Sequence, residues 1–271
     1  MSDITELSPA SVPSAIKVDV WSDIACPWCY IGKRRLEEGV AAYSASLGGV
    51  GAALGSDGVA GTTAADGSST PDARGTAIPV EIEYHSFELS PDTPVDFAGT
   101  EIEFLAQHKG FAPAQVVEML ERVTGIAESV GLHYDYDALQ HTNTVKAHQV
   151  IHYAKAHGVQ LAAKERLLKA YFEEGKHVGR DEDLADLAAE IGLDRDDVLR
   201  SLGENEYLDA VRADQAQAIA YGIQGVPFFV FDQKYGVSGA QEAAAFAEVL
   251  GQLTAERAEL AAASADAGAA R

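Results

Sequence analysis

Ser22-Asp23-Ile24-Ala25-Cys26-Pro27-Trp28-Cys29-Tyr30 carries the deciding pattern: two cysteines two residues apart, with a proline and a tryptophan between them. Immediately before it, Ile16-Lys17-Val18-Asp19-Val20-Trp21 alternates apolar and polar side chains. That alternation predicts a strand with one buried face. Residues 22–25 turn the chain. From Pro27 a helix is expected through Lys33, Leu36 and Val40 to about residue 47, and Pro27 suits its first turn. The cysteines therefore fall where a strand hands over to a helix.

That placement has chemical consequences. Two intervening residues let both sulfurs meet across the first helical turn. Unpaired backbone N–H groups and the helix dipole at that end favour an anion, so a lowered Cys26 thiol pKa is expected. Cys29, one turn further in, is expected to be the more shielded sulfur. Cys26 would then attack or receive a substrate sulfur, and Cys29 would resolve the mixed disulfide. Pro27 removes one amide between the cysteines, and Trp28 is expected to project as an exposed contact surface. Lys33 and Arg34 read as solvated helix residues. The chain holds only these two cysteines. No local Cys/His cluster completes the four ligands of a structural zinc site, so no metal is expected.

Further along, 48–77 is dominated by Gly, Ala, Ser, Thr and Asp and contains no aromatic residue. Such a segment cannot repay its ordering entropy by burial, and it reads as a flexible surface insertion. Ile78, Val80, Ile82 and Tyr84 mark a second alternating strand ending near His85. Helical patterns follow at 101–109, 113–130, 144–157, 161–173, 181–191 and 195–202. Another spans 206–221, with Tyr207, Val211, Ala218 and Ile219 as its buried stripe. Gly225-Val226-Pro227 then leads directly into Phe228-Phe229-Val230-Phe231, a short buried strand. A turn at 232–234 returns the chain through Tyr235-Gly236-Val237-Ser238. A closing helix is expected from 240 to about 253 or beyond, with a frayed tail.

Proline directly before a strand is a poor ladder member but acceptable as a turn. Next to the cysteine motif, Val226-Pro227 reads as a cis turn. Val226 could then offer main-chain hydrogen bonds to an extended peptide or to glutathione beside Cys26. The order of elements gives an α/β core split by an all-helical insertion. Residues 16–99 form its first part, 100–203 the insertion, 204–253 the second part and 254–271 a frayed extension.

The chain has 271 residues, 47% of them apolar, enough for one sizeable domain with an inserted subdomain. Its net charge of −22 repels nucleic-acid phosphates and anionic lipid headgroups, so neither nucleic acid nor membrane is expected as a partner. The first 14 residues are polar and acidic and lack the basic start and apolar run of a secretory signal. A cytoplasmic location is therefore expected. There, a reversible redox pair is a better use of two cysteines than a structural disulfide.

Taken together these motifs resemble the DsbA-like thioredoxin-fold oxidoreductases, in particular a FrnE-like cytoplasmic branch. The resemblance is carried by Val18 to Asp23 before Cys26-Pro27-Trp28-Cys29-Tyr30-Ile31-Gly32. It continues in His85-Ser86-Phe87-Glu88-Leu89 and in Gly225 to Phe231 running on through Lys234-Tyr235-Gly236-Val237-Ser238-Gly239-Ala240-Gln241. It implies a thioredoxin-like fold interrupted by a helical domain, Cys26 as nucleophile, Cys29 as resolving thiol and Pro227 as the active-site cis proline. Ser238 and Gly239 would border a ligand groove. The insertion over 48–77 is longer than this family leads one to expect.

Three functions follow. The leading one is reversible disulfide exchange on thiol- or disulfide-containing proteins or small molecules, with no required cofactor and with glutathione as candidate substrate or reductant. The second is glutathione-dependent isomerisation or transfer, as in the related 2-hydroxychromene-2-carboxylate isomerases, which share the scaffold but typically lack the cysteine pair. The third is a redox-regulated binding or chaperone-like protein. Association as a homodimer is left open.

Overall fold

The computed structural model describes residues 15–47 and 77–269. The expected insertion over 48–77 lies, apart from Ala77, outside the described residues. Strand β1 (Ile16–Ser22) leads to helix α1 (Pro27–Ser46) and strand β2 (Val80–Ser86). Seven helices follow: α2 (Glu101–Lys109), α3 (Pro113–Ser129), α4 (Val145–Ala156), α5 (Gln160–Glu173), α6 (Asp181–Glu190), α7 (Arg195–Glu204) and α8 (Leu208–Ala220). The chain closes with β3 (Phe228–Phe231), β4 (Tyr235–Ser238) and α9 (Ala243–Ala269).

The four strands form one sheet in the order β2-β1-β3-β4. β1 is parallel to β2 and antiparallel to β3, and β3 pairs with β4 as a hairpin. The fold is thus mixed α/β, with the helical insertion α2–α8 joining β2 to β3. Alternation in β1 explains why it is central. Ile16, Val18 and Val20 are buried in the main core, which also holds Phe229, Phe231, Phe246 and Leu250. Trp21, on the other face, belongs to a second cluster with Ala218, Ile223 and Val230. A strand covered on both faces fixes its register firmly, because a slip by one residue would exchange the two faces.

Two local features position the cysteine-bearing helix. At Gly39 a Cβ would stand 2.7 Å from the Ala243 carbonyl oxygen and 2.7 Å from Phe246 Cβ, so glycine lets α1 and α9 pack backbone to backbone. On the other side of the sheet edge, the Gln160 amide brackets Tyr84. Its Oε1 accepts from Tyr84 N at 3.0 Å and its Nε2 donates to Tyr84 O at 2.9 Å. This satisfies part of the edge of β2 and locks the insertion to the sheet.

Three expectations are corrected. Ile219 is 79% exposed. The buried face of α8 runs through Val211, Asp214 and Ala218, so a polar residue holds the middle of the stripe. Lys33 is buried rather than solvated, because ion pairing with Glu37 and Glu165 compensates its charge. The closing helix continues through Ala269, so the stretch expected to fray is helical. Its run of Ala, Glu and Leu favours helix, and Thr254 shares a hydrogen bond of 2.7 Å with Tyr43.

Candidate active site

Cys26 is the N-cap of α1, in extended conformation, and Pro27 is the first helical residue. The Cys29 amide donates to the Cys26 carbonyl at 3.0 Å and closes the turn that brings the two residues together. Both cysteines are unbridged thiols. They are 3% and 2% exposed, so the expected contrast in shielding is absent and access to either is narrow. Trp28, between them, is 37% exposed and projects outward.

The Val226-Pro227 bond is cis. Cys26 Sγ donates to the Val226 carbonyl at 3.5 Å, which joins two segments 200 residues apart in sequence. Glycine makes the close approach workable: a Cβ at Gly32 would lie 3.0 Å from Pro227 Cγ. Gly239 N donates to the Pro227 carbonyl at 2.9 Å, so the turn after β4 holds the proline loop from its far side. Ser238 pairs across the hairpin with Phe228 and is exposed. The structure therefore brings Cys26, Cys29, Pro27, Trp28, Val226, Pro227 and Gly239 together, with Ser238 at the margin.

Beneath the sulfurs lies a buried set of charges. Asp23 is 1% exposed; its Oδ2 accepts from Leu89 N at 2.8 Å, and its Oδ1 lies 3.3 Å from His148 Nε2. Burial opposes its ionisation, but His148 and the Leu89 amide outweigh this and hold the carboxyl below its ordinary range. Lys164, on α5, is 1% exposed, with Nζ 5.4 Å from the centre of the Tyr84 ring. Burial pushes its pKa down to about 8, against the pull of negative charge on Cys29, Asp23 and Cys26. Its neighbour Glu165 anchors this arrangement. The Glu165 carboxylate accepts from Tyr30 Oη at 2.7 Å, pairs with Lys33 at 2.6 Å and is gripped by both Arg34 terminal nitrogens. Clamping Glu165 to α1 fixes the stretch of α5 that carries Lys164, whose charge is felt by both sulfurs.

The two thiols titrate as a unit. Burial disfavours ionisation of Cys29, yet the hydrogen bond from Cys26, the Lys164 charge and the Ser22 hydroxyl bring its pKa down. Cys26 is raised well above the thiol range, first by the Cys29 sulfur, then by burial and the Asp23 charge. The pair therefore shares one proton and one negative charge, and the Lys164 ammonium, which attracts charge on either sulfur, favours that first ionisation.

Lys164 and Asp23 were not singled out in the sequence. A signal for Lys164 existed: Gln160, Lys164, Leu167, Leu168 and Tyr171 occupy one face of α5, and all are buried. Lys164→Met should raise the first dithiol pKa by about one unit and lower the alkylation rate at pH 7 about tenfold. Iodoacetamide kinetics across pH would show the shift. The urea midpoint should hold or rise, because the penalty for burying an ammonium disappears with it.

The DSBA-like thioredoxin domain family model matches residues 17–251, and the chain belongs to that family. The chain resembles the crystal structure of a probable DsbA oxidoreductase from Streptomyces coelicolor. The two are 33% identical, with a TM-score of 0.72 over 89% of this chain and 91% of that one. The uncharacterized protein YwbO of Bacillus subtilis (strain 168) is 25% identical over 221 residues, 79% of this chain and 86% of its own length. A 2-hydroxychromene-2-carboxylate isomerase shares the fold at TM-score 0.61 and 16% identity, over 90% of this chain and 98% of that one.

Proposed function

We propose that this protein is a thiol–disulfide oxidoreductase of a FrnE-like branch, acting by reversible exchange at Cys26 and Cys29. The observation that carries the reading is two unbridged thiols at one helix entrance, with Cys26 Sγ 3.5 Å from the Val226 carbonyl beside Pro227. In the reducing direction the dithiol loses one proton, Cys29 holds the other, and the Cys26 thiolate attacks a substrate disulfide. A Cys26–substrate disulfide forms and the first substrate sulfur leaves as a thiolate, which takes the proton from Cys29. The Cys29 thiolate then attacks the Cys26 sulfur, forms the internal disulfide and expels the second substrate thiolate. Two external thiols, glutathione among the candidates, restore the dithiol.

The oxidising direction is the same sequence reversed, and partner supply sets which dominates. Substrates are thiol- or disulfide-containing proteins or small molecules, and the pair works in the cytoplasm. Among the described residues no helix is long and apolar enough to cross a membrane. The wild-type protein should catalyse reduction of insulin disulfides by excess dithiothreitol or glutathione, and Cys26→Ser should reduce this to the uncatalysed rate. Equal rates with and without wild-type protein would defeat the reading.

A further inference from the structure

A cavity of about 200 Å³ opens beside the cysteine turn, between it and the insertion, with Pro27 and Trp28 in its lining. Its walls are chiefly apolar and include Phe104, Met119, Leu120 and Phe172. A cavity of about 150 Å³ with comparable walls accepts a benzene ring, so this one holds a single six-membered ring with a substituent.

Two buried polar atoms on residues lining the cavity lack a protein partner among the described residues: His141 Nε2 and the Tyr136 hydroxyl. His141 is 5% exposed, stacked on Phe104 at a centroid distance of 3.4 Å, and its Nδ1 lies 2.6 Å from Glu101 Oε2. Nδ1 is taken up by that carboxylate, which leaves Nε2 as the ring nitrogen able to pair with a ligand hydroxyl. The Tyr136 hydroxyl can donate or accept. Buried polar atoms left unpaired are unfavourable, and a ligand hydroxyl would satisfy them.

Carboxylate ligands fit poorly. Asp23 and Glu101 already line the cavity, and Lys109, the one Lys or Arg among the lining residues, is exposed.

We propose that this cavity is a recognition subsite for a phenolic ring, the side chain of a tyrosine adjacent to the reacting cysteine of a peptide disulfide. The inference rests on the oxidoreductase reading and names its substrate class. Pro27 and Trp28 follow Cys26 directly, so a residue next to the captured sulfur falls at the cavity mouth. Aromatic walls supply the affinity, and His141 Nε2 selects a ring that carries a hydroxyl.

The test uses the reduced full-length protein and disulfide-linked dimers of blocked dipeptides pairing Cys with Tyr, Phe or Ala, in both orders. The readout is kcat/KM for their reduction. In at least one order Tyr should exceed Phe by about tenfold, the weight of one buried hydrogen bond, and exceed Ala by more. His141→Phe should bring the Tyr/Phe ratio close to one. Met119→Trp, at a position 42% exposed where the fold tolerates change, should fill the cavity and collapse the Tyr/Ala ratio. Equal wild-type rates on the three substrates, or a preference for Tyr that survives both substitutions, would overturn the subsite and leave the exchange chemistry standing. Reduction of none of the three would overturn both.

Discussion

Cys29→Ser protein should accumulate a mixed disulfide through Cys26 and lose multiple-turnover exchange by about a thousandfold or more, because the resolving step has no nucleophile. The charge distribution sharpens this expectation. In the dithiol, the neighbouring Cys29 sulfur is the largest influence raising Cys26, ahead of burial and Asp23. Removing that sulfur removes the competitor for the single anion, while Lys164 and the Cys29 position's amide remain to stabilise a thiolate. Cys26 in the variant should therefore titrate lower than it does in the wild-type pair. Its first attack should persist, and the block should appear only afterwards. Mass spectrometry of the protein incubated with oxidised glutathione should show an adduct of one glutathione per chain that is stable to dilution and released by dithiothreitol. The wild-type protein should show little adduct, because Cys29 displaces it. An isomerase that relies on bound glutathione would keep multiple turnover in Cys29→Ser, and that result would remove the exchange mechanism.

Local order was largely legible in the sequence, because strands of period two and helices with clear punctuation announce themselves. The strand alternation at Ile16 to Trp21, the proline-started helix and the six helices of the insertion before α8 all lie within a residue or two of their expected places. Val226-Pro227 is cis as read from its position before β3. What escaped the sequence involves charge meeting charge across long separations. Lys33 looked solvated because its partner Glu165 lies 132 residues away on another helix. Ile219 looked buried because an apolar count passes over Asp214, which holds the middle of the α8 stripe through contacts with β2 and α4. Lys164, the buried cation that favours ionisation of the dithiol, comes from the insertion, and a helix terminus seen alone gives no hint of it. The recognition cavity likewise needs Trp28, Met119 and His141 brought together by folding.

The same buried-charge logic makes His85 the strongest stability lever on the far face of the sheet. Its Nε2 lies 2.8 Å from Asp19 Oδ1 on β1, and its Nδ1 lies 2.9 Å from Asp214 Oδ1 on α8. Both ring nitrogens therefore meet carboxylates, and the ring stacks on Trp21 at 4.6 Å. Asp214 also pairs with His152 of α4 at 2.9 Å and accepts from Ser86 N at 2.7 Å, while Glu83 lies 3.7 Å from the His85 ring. Burial opposes the imidazolium, but Asp19 and Asp214 prevail and raise its pKa to about 9. A raised histidine contributes stability that is fully present below its ordinary 6.5 and is lost as pH climbs through 9, about 3 kcal/mol over that span. Asp214 is depressed, so its contribution is present above the ordinary carboxylate range and disappears as acid protonates it. Lys164 works the other way: its burial penalty is full below about 8 and is relieved as pH rises toward 10.5. The clean measurement is therefore a difference between variants. His85→Gln should cost about 3 kcal/mol at pH 6, where it removes the cation that Asp19 and Asp214 share and leaves them only Lys17 and His152. At pH 9.5 the gap to wild type should narrow to about 1 kcal/mol, because the wild-type ring has by then lost most of its charge. Urea unfolding at both pH values gives the two gaps, and a gap that stayed constant would show that the ring is held by packing and not by its charge.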